Sequence, residues 1–456
     1  EFPDYAATRY YSSDFTEKRM VSYFGRLGYN YKQRYLLEFT FRRDGSSTFG
    51  EGNRWANFPS VAVGWSFSEE PFIKRLTGGW LNWGKIRGSY GKSGQTFTSA
   101  YLAHGLMNIM DKSFFGKTGI TTDKPVSPYL TWEKTRQYDL GLDMDMFNYR
   151  LNVKLDYYYK YTSSLIYDIP IPGSLYAFGA QVENAMEISN EGLELELQAD
   201  ILRESAVSWR MKFNMARNWN RFEKSYSGKD VVDGDGTLLV VGRPLNGLYV
   251  WAHRGYYNSD AEVPRLYKID GQEIYFNGVA TNGISGAVGD YRLLDLDGDG
   301  NPDSYYAGSP LPLAHGGWVN ELMWKNFDLN VLVNFTIGRK MINNRMGLGF
   351  SRQSEDGHLT KLFDYRKLRP WDGVNKKPNA PAWGNSLSMN TDSAIEKVHH
   401  LALKQITLGY NLPDRISKKA GLSGVRFFLT AENLFYLSNY SGGNPEVVNI
   451  YTGRDN

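Results

Sequence analysis

The chain of 456 residues contains no cysteine. That excludes a disulfide framework and thiolate metal sites. It also lacks any apolar run approaching the ~18 residues of a membrane helix. An excess of one charge is missing too: 52 Lys and Arg face 49 Asp and Glu, a net charge of +3. Such balance offers no case for nucleic acid or a strongly acidic partner. The 6 histidines are scattered, and no GxSxG, P-loop or HExxH pattern occurs, so catalysis finds no support and no enzyme is expected. No signal peptide opens the chain. Glu1-Phe2-Pro3-Asp4 and Asp455-Asn456 both read as loop, and both ends are expected to be incomplete.

What the chain has in quantity is aromatic residues, 15% in all, with 32 Tyr and 12 Trp. Tyr and Trp suit interfacial girdles and ligand-facing loops. They equally suit a soluble, secreted β protein that binds carbohydrate. A mean hydropathy of −0.47 does not separate the two, because half of each strand in a membrane barrel faces water.

Periodicity separates them. In Arg150–Tyr161, Leu151, Val153, Leu155, Tyr157, Tyr159 and Tyr161 share one face. Arg150, Asn152, Lys154, Asp156 and Lys160 share the other, the period of two that marks a strand. The run spans roughly 12 residues, where soluble strands average about 5 to 6 and membrane strands need about 9 to 11. Similar runs predict twelve strands: Met20–Tyr31, Arg34–Arg43, Val61–Phe67, Leu81–Gly91, Thr135–Phe147, Arg150–Thr162, Glu191–Leu202, Val207–Arg217, His315–Trp324, Phe327–Gly338, His400–Asn411 and Gly424–Asn433. The alternation slips at Gln405-Ile406, which predicts a bulge.

Connections alternate in length. Lys32-Gln33, Asn148-Tyr149, Arg203–Ser205 and Lys325-Asn326 read as tight turns, and Ser68–Trp80 and Leu412–Ser423 as longer ones on the same side. Asp44–Ser60, Lys92–Lys134, Ser163–Asn190, Asn218–Ala314 and Lys340–His399 read as long loops. Short turns on one side and long loops on the other are the layout of an outer-membrane barrel. The fold class expected is all-β, an antiparallel transmembrane β-barrel. Its unpaired edges would be costly in hydrocarbon, so further segments are expected to close it.

A series of ordered motifs then carries a family resemblance. It comprises Lys32-Gln33-Arg34-Tyr35-Leu36-Leu37, Arg42-Arg43-Asp44-Gly45-Ser46-Ser47-Thr48-Phe49-Gly50, Asn57-Phe58-Pro59-Ser60, Gly64-Trp65 and Ser68-Glu69-Glu70-Pro71-Phe72. It continues with Arg87-Gly88-Ser89-Tyr90-Gly91, Trp132-Glu133-Lys134-Thr135, Asp156-Tyr157-Tyr158-Tyr159 and Asn190-Glu191-Gly192-Leu193-Glu194. Leu408-Gly409-Tyr410-Asn411-Leu412-Pro413 and Glu432-Asn433-Leu434-Phe435 close it. The series resembles the SusC/RagA-like TonB-linked outer-membrane transporters of Bacteroidetes. The resemblance implies a barrel of about 22 strands with a plug in its lumen. The strands here would be the tenth to the twenty-first, so residues 1–456 would form part of the barrel, without the plug, the early strands and the last strand. It further implies active import of oligosaccharide or oligopeptide, coupled through TonB, with a SusD-like surface lipoprotein over loops such as Lys340–His399. The wall would contact membrane lipid or lipopolysaccharide.

One motif points to a metal. In Asp295-Leu296-Asp297-Gly298-Asp299-Gly300-Asn301-Pro302-Asp303, acids at loop positions 1, 3 and 5, Gly at 6 and Asp at 9 follow a calcium-loop layout. Asp295, Asp297, Asp299, Asn301 and Asp303 are the candidate ligands. Tyr306 stands where the bidentate Glu belongs, and a solvated acidic turn held by Asx bonds is the alternative. Glu133, Glu191, Glu194 and Glu196 are expected to line a wet lumen. Tyr305, Tyr306, Trp371 and Trp383 suit stacking on sugar or peptide, or plain loop packing. His399-His400 opens a strand without any catalytic context.

Overall fold

The computed structural model describes residues 15–454 apart from 97–99, 102, 106, 115–116, 123–124, 177–178, 204, 233–237, 264, 268–272, 276–287, 295, 297–302, 344–368, 375–376, 383–390, 420 and 451–452. Twelve strands form one antiparallel sheet in strict sequence order. They are β1 Met20–Tyr31, β2 Tyr35–Ser46, β3 Trp55–Trp65, β4 Leu81–Gln95, β5 Glu133–Met146, β6 Leu151–Pro170, β7 Ala180–Leu202, β8 Val207–Lys224, β9 Ala314–Trp324, β10 Phe327–Ile342, β11 Ile395–Asn411 and β12 Arg426–Ser438. Among the described residues β1 pairs only with β2, and β12 only with β11, so the sheet is an open segment of a barrel wall.

The turns on one rim are as tight as expected. Lys32 and Gln33 take φ of 52° and 57°, left-handed at both central positions of the Tyr31–Arg34 turn, which the Arg34 N–H closes on Tyr31 O at 3.0 Å. Phe147, Asn148 and Tyr149 do the same at 55°, 57° and 60°. A short helix, Pro71–Thr77, fills the longer β3–β4 turn.

Strand bounds differ from expectation at the other rim. β3 starts at Trp55 rather than Val61, β6 runs on to Pro170, β7 starts at Ala180 rather than Glu191, and β8 continues to Lys224. The loops expected at Asp44–Ser60 and Ser163–Asn190 therefore shrink to residues 47–54 and 171–179. The cause is a change of surroundings. Above the lipid band the strands meet loops, and apolar groups turn to the other side. Ala56 and Phe58 are buried with Phe49, Leu130, Trp132 and Val182, on the face opposite to Val61 and Val63. Met186 and Phe222 pack with Leu239. Period two fades where both faces carry apolar contacts. Pro59 is tolerated in β3 because β3 pairs with β4 only from Ser60 onward, leaving an edge with no donor needed. The expected slip in β11 is present as a register shift between Leu403 and Gln405.

The packed clusters thus lie in the loop layer and the strand extensions, not along the wall. On the wall, Val63 and Leu140 are 54% and 58% exposed. Leu193 is exposed, and Leu195, Leu197, Val331, Val333 and Phe335 stay half-buried against strand neighbours. Among the described residues no second layer seals these side chains, as a water-soluble sandwich would require. Aromatic pairs border the apolar band. On the short-turn rim stand Trp80 with Phe147, Tyr31 with Tyr35, and Phe327 with Tyr410 at ring distances of 6.2, 6.4 and 4.7 Å. Toward the loop rim Tyr90 packs on Tyr138, which faces Tyr159, at 4.8 and 6.4 Å. Two girdles around an apolar band are what a bilayer selects.

Candidate functional site

The opposite face of the wall is the candidate site, a polar surface built from rows of charge. Alternation places charged residues such as Arg87, Lys154, Glu196, Arg210, Lys212 and Asp328 on this face, and register brings opposite signs together. Lys154 lies 3.2 Å from Glu196, Arg210 2.7 Å from Asp200, and Lys212 2.6 Å from Glu321. Arg26 pairs with Glu38 at the β1 edge.

Some rows skip a strand, and each skip passes over a glycine. Arg87 of β4, Gly141 of β5 and Asp156 of β6 stand opposite one another. Arg87 reaches Asp143 at 3.1 Å and, across Gly141, Asp156 at 2.5 Å. A Cβ on Gly141 would sit 2.5 Å from Arg87 Cζ. Likewise Tyr158 crosses Gly192 and donates to Asn218 at 2.8 Å. Arg426 of β12 crosses Gly409 of β11 to Asp328 of β10 at 2.5 Å. Charge-assisted bonds of this kind hold adjacent strands while leaving a wet, hydrogen-bonding surface.

The motifs meet in such contacts. Glu70 accepts from Tyr35 Oη at 2.7 Å, Arg34 Nη1 at 3.3 Å and Trp65 Nε1 at 3.5 Å. Three separate motifs thereby close one knot at the short-turn rim. The Tyr35 hydroxyl, with the Trp65 indole and Arg34 behind it, holds the Glu70 carboxyl below its ordinary value against some desolvation. Trp132 fills the opposite rim, with Phe49 at 5.0 Å and Phe58 at 5.5 Å, and donates Nε1 to Arg54 O at 3.1 Å.

Of the expected lumen acids, Glu196 lies on the polar face with Lys154, and Glu194 shares its parity. Glu133 accepts the Ile166 N–H at 2.9 Å. Glu191 is a correction: it shares the parity of Leu193 and Leu195, and accepts from Tyr157 Oη at 3.2 Å on the apolar side. It sits in the Tyr girdle, where an acid reaches the headgroup level.

The loop aromatics divide in the same way. Tyr305 packs on the cluster of Leu248, Val250, Ile342 and Ala394 and donates to Asp392 at 3.1 Å. Tyr306 lies 5.7 Å from Tyr249, with Arg243 5.1 Å from its ring. Trp371 donates to Asn258 Oδ1 at 3.2 Å. Loop packing thus accounts for these three; Trp383 lies outside the described residues. Burial pushes the Tyr249 phenol up to about 12, and those of Tyr256 and Tyr291 upward too. They remain neutral hydrogen-bonding groups at physiological pH.

Asp295, Asp297, Asp299 and Asn301 also lie outside the described residues. Asp303 accepts the Leu296 N–H at 2.5 Å, and its own N–H goes to Leu294 O at 2.9 Å. The end of the acidic loop is therefore folded back on its start. Among the described residues no group of three or more metal-ligating side chains occurs.

His400 has a role that its sequence context did not announce. It is buried at the loop end of the polar face beside Arg339 and Glu446. Only the slip at Gln405-Ile406 hinted at an irregular site nearby.

Comparison with known proteins agrees with this architecture. Residues 2–306 match the family model for TonB dependent receptor-like β-barrels. TonB-dependent receptor P26 of Formosa agariphila is 32% identical over 96% of this chain and 44% of its own length. TonB-dependent receptor SusC of Bacteroides thetaiotaomicron is 29% identical over 95% of this chain and 42% of its own. The RagAB peptide importer in its closed-closed state superposes with a TM-score of 0.76 at 24% identity, over 96% of this chain and 46% of that one. The chain thus spans under half the length of these relatives. An apolar band between two aromatic girdles, an ion-paired inner face and the matched family make one assignment: this chain belongs to the TonB-dependent receptor β-barrels of the outer membrane.

Proposed function

We propose that the chain forms part of the wall of a SusC/RagA-type importer for oligosaccharides or oligopeptides. The observation that carries this reading is the contrast between the two faces of one sheet. One is apolar and unsealed, and the other carries a series of cross-strand ion pairs, from Arg87 on β4 to Glu321 on β9 and again from Asp328 to Arg426. Such a surface suits polar cargo that exchanges hydrogen bonds as it moves. The likeness to SusC and to a peptide importer supports the class without choosing between glycan and peptide.

The reading assigns the energy to TonB acting on a plug beyond this chain, and the lid to a SusD-like surface lipoprotein over the long loops. It assigns the wall no covalent chemistry. The test is deletion of the gene in its native host, with uptake of labelled oligosaccharides and oligopeptides measured with and without TonB. Uptake of one class should vanish in both strains, and a lipoprotein should co-purify with the receptor. Undiminished uptake of both classes in the deletion strain overturns the proposal.

A further inference from the structure

The loop end of β10 and β11 carries two irregularities side by side. The β10–β11 register shifts between Thr336 and Arg339, where Gly338 takes φ 73°. The β11–β12 register shifts between Leu403 and Gln405, around Lys404. Bulges re-aim side chains, and they recur beside binding sites. Here Arg339 and His400 line a hollow of about 450 Å³ with Lys212, Asn214, Asn334 and Glu446. The volume falls in the lower part of the ~300–1,000 Å³ range of ligand sites, enough for one sugar ring or one amino-acid residue.

The charges around this hollow do not cancel. Lys212 is matched by Glu321 at 2.6 Å. Lys404 is matched by Glu446 at 2.6 Å, and His400 Nε2 lies 3.9 Å from the same carboxylate. Arg339 has no acid within ion-pairing distance among the described residues. Its Nε and the Nδ1 of His400 are both shielded from solvent and have no hydrogen-bond partner there. Shielded polar atoms left without partners are costly, and a guanidinium fork is shaped for an anion with two oxygens. Position fits as well. Thr336 and His400 are paired across the ladder, and Thr336 lies about 33 Å along β10 from the Lys325-Asn326 turn at ~3.3 Å per residue. Allowing for tilt, that is the top of a ~25 Å apolar band.

We propose that this hollow binds an anionic oxygen group, a carboxylate or a sulfate, carried on the molecule being imported. This rests on the importer reading above and narrows its cargo to acidic sugars or acidic peptides. Arg339 holds the anion, His400 offers a second nitrogen, and Glu446 is the resident acid with which the ligand competes for Lys404.

The test uses the purified full-length receptor containing this chain, in detergent, titrated calorimetrically at fixed ionic strength. The probes are glucuronate, glucose 6-sulfate and N-acetylglutamate, with glucose as the neutral control. At least one anion should bind about tenfold or more tighter than glucose. Arg339→Gln should remove that preference, and Glu446→Gln should strengthen binding several-fold. Glucose 6-sulfate binding alone identifies a sulfated cargo, glucuronate an acidic sugar and N-acetylglutamate a peptide. Equal affinity for anions and glucose overturns the proposal, as does an unchanged Arg339→Gln. If Arg339→Gln fails to fold, Glu446→Gln decides, and unchanged or weaker binding there overturns it. Binding without uptake would sink only the importer reading, and uptake without anion preference only this one.

Discussion

Arg87 reaches Asp156 at 2.5 Å by crossing the bare backbone of Gly141, so that one side chain spans the strand between them. A side chain on the middle strand forbids the bond. Gly141→Val should therefore lower stability by about 1–3 kcal/mol, from overpacking and a lost charge-assisted pair. Gly28→Ala, where a Cβ would meet nothing within 4 Å, should be near neutral. Denaturant unfolding of the reconstituted receptor compares the two, and equal effects would refute the role given to Gly141.

The apolar face makes a second prediction. Leu195→Arg and Val333→Arg should each cost about 2–4 kcal/mol in lipid, the midplane value for an outward cation. Asn330→Arg, three residues from Val333 on the polar face of the same strand, should cost far less. Folding into vesicles, read by heat-dependent gel migration, distinguishes them; equal tolerance would mean the faces are reversed.

Glu70 predicts an acid limb. Its folded value lies below the ordinary carboxylate value of about 4.3. Its contribution is therefore complete above that value and is lost as pH falls through the lower folded one. Glu70→Gln should reduce thermal stability at neutral pH and flatten the acid limb. A parallel drop in wild type and variant across pH 5 to 2 would contradict the knot at Tyr35, Arg34 and Trp65.

Trp132 anchors the loop rim at 2% exposure. Trp132→Ala should cost about 3–5 kcal/mol of local stability, as large-to-small changes in packed sites do. Proteolysis should then accelerate within residues 47–54 while strands at the other rim stay protected. Uniform protection would place the loop's stability elsewhere.

Calcium is a ligand question at the loops. If Asp295, Asp297, Asp299, Asn301 and Asp303 hold the ion, millimolar calcium should slow proteolysis around residues 295–303 or raise the melting temperature. A response identical in chelator would leave the segment as an Asx-stabilised turn.

Much of the wall could be read from sequence because a bilayer imposes one rule on every strand. Met20–Tyr31 was legible end to end, and so was the slip before Ile406. The rule stops where lipid stops. Ala56 and Phe58 turn inward onto Trp132, and Ala180–Asn190 packs on loops, so those extensions read as loop. The candidate anion site was illegible for another reason. Arg339, His400 and Lys404 lie on two strands, and two register shifts bring their charges to one place. No spacing along the chain encodes that.

If the chain walls an import route as proposed, the ion pairs across its polar face also set how that route treats what moves through it. A bare cation or acid along the way would trap a charged traveller and slow its exit. Lys154, Arg210 and Lys212 instead meet an acid on the neighbouring strand, so along those strands the route has low electrostatic friction. On the proposed reading, retention would fall at the mouth, where Arg339 meets no acid among the described residues, and selection and transit would occupy different heights of one surface.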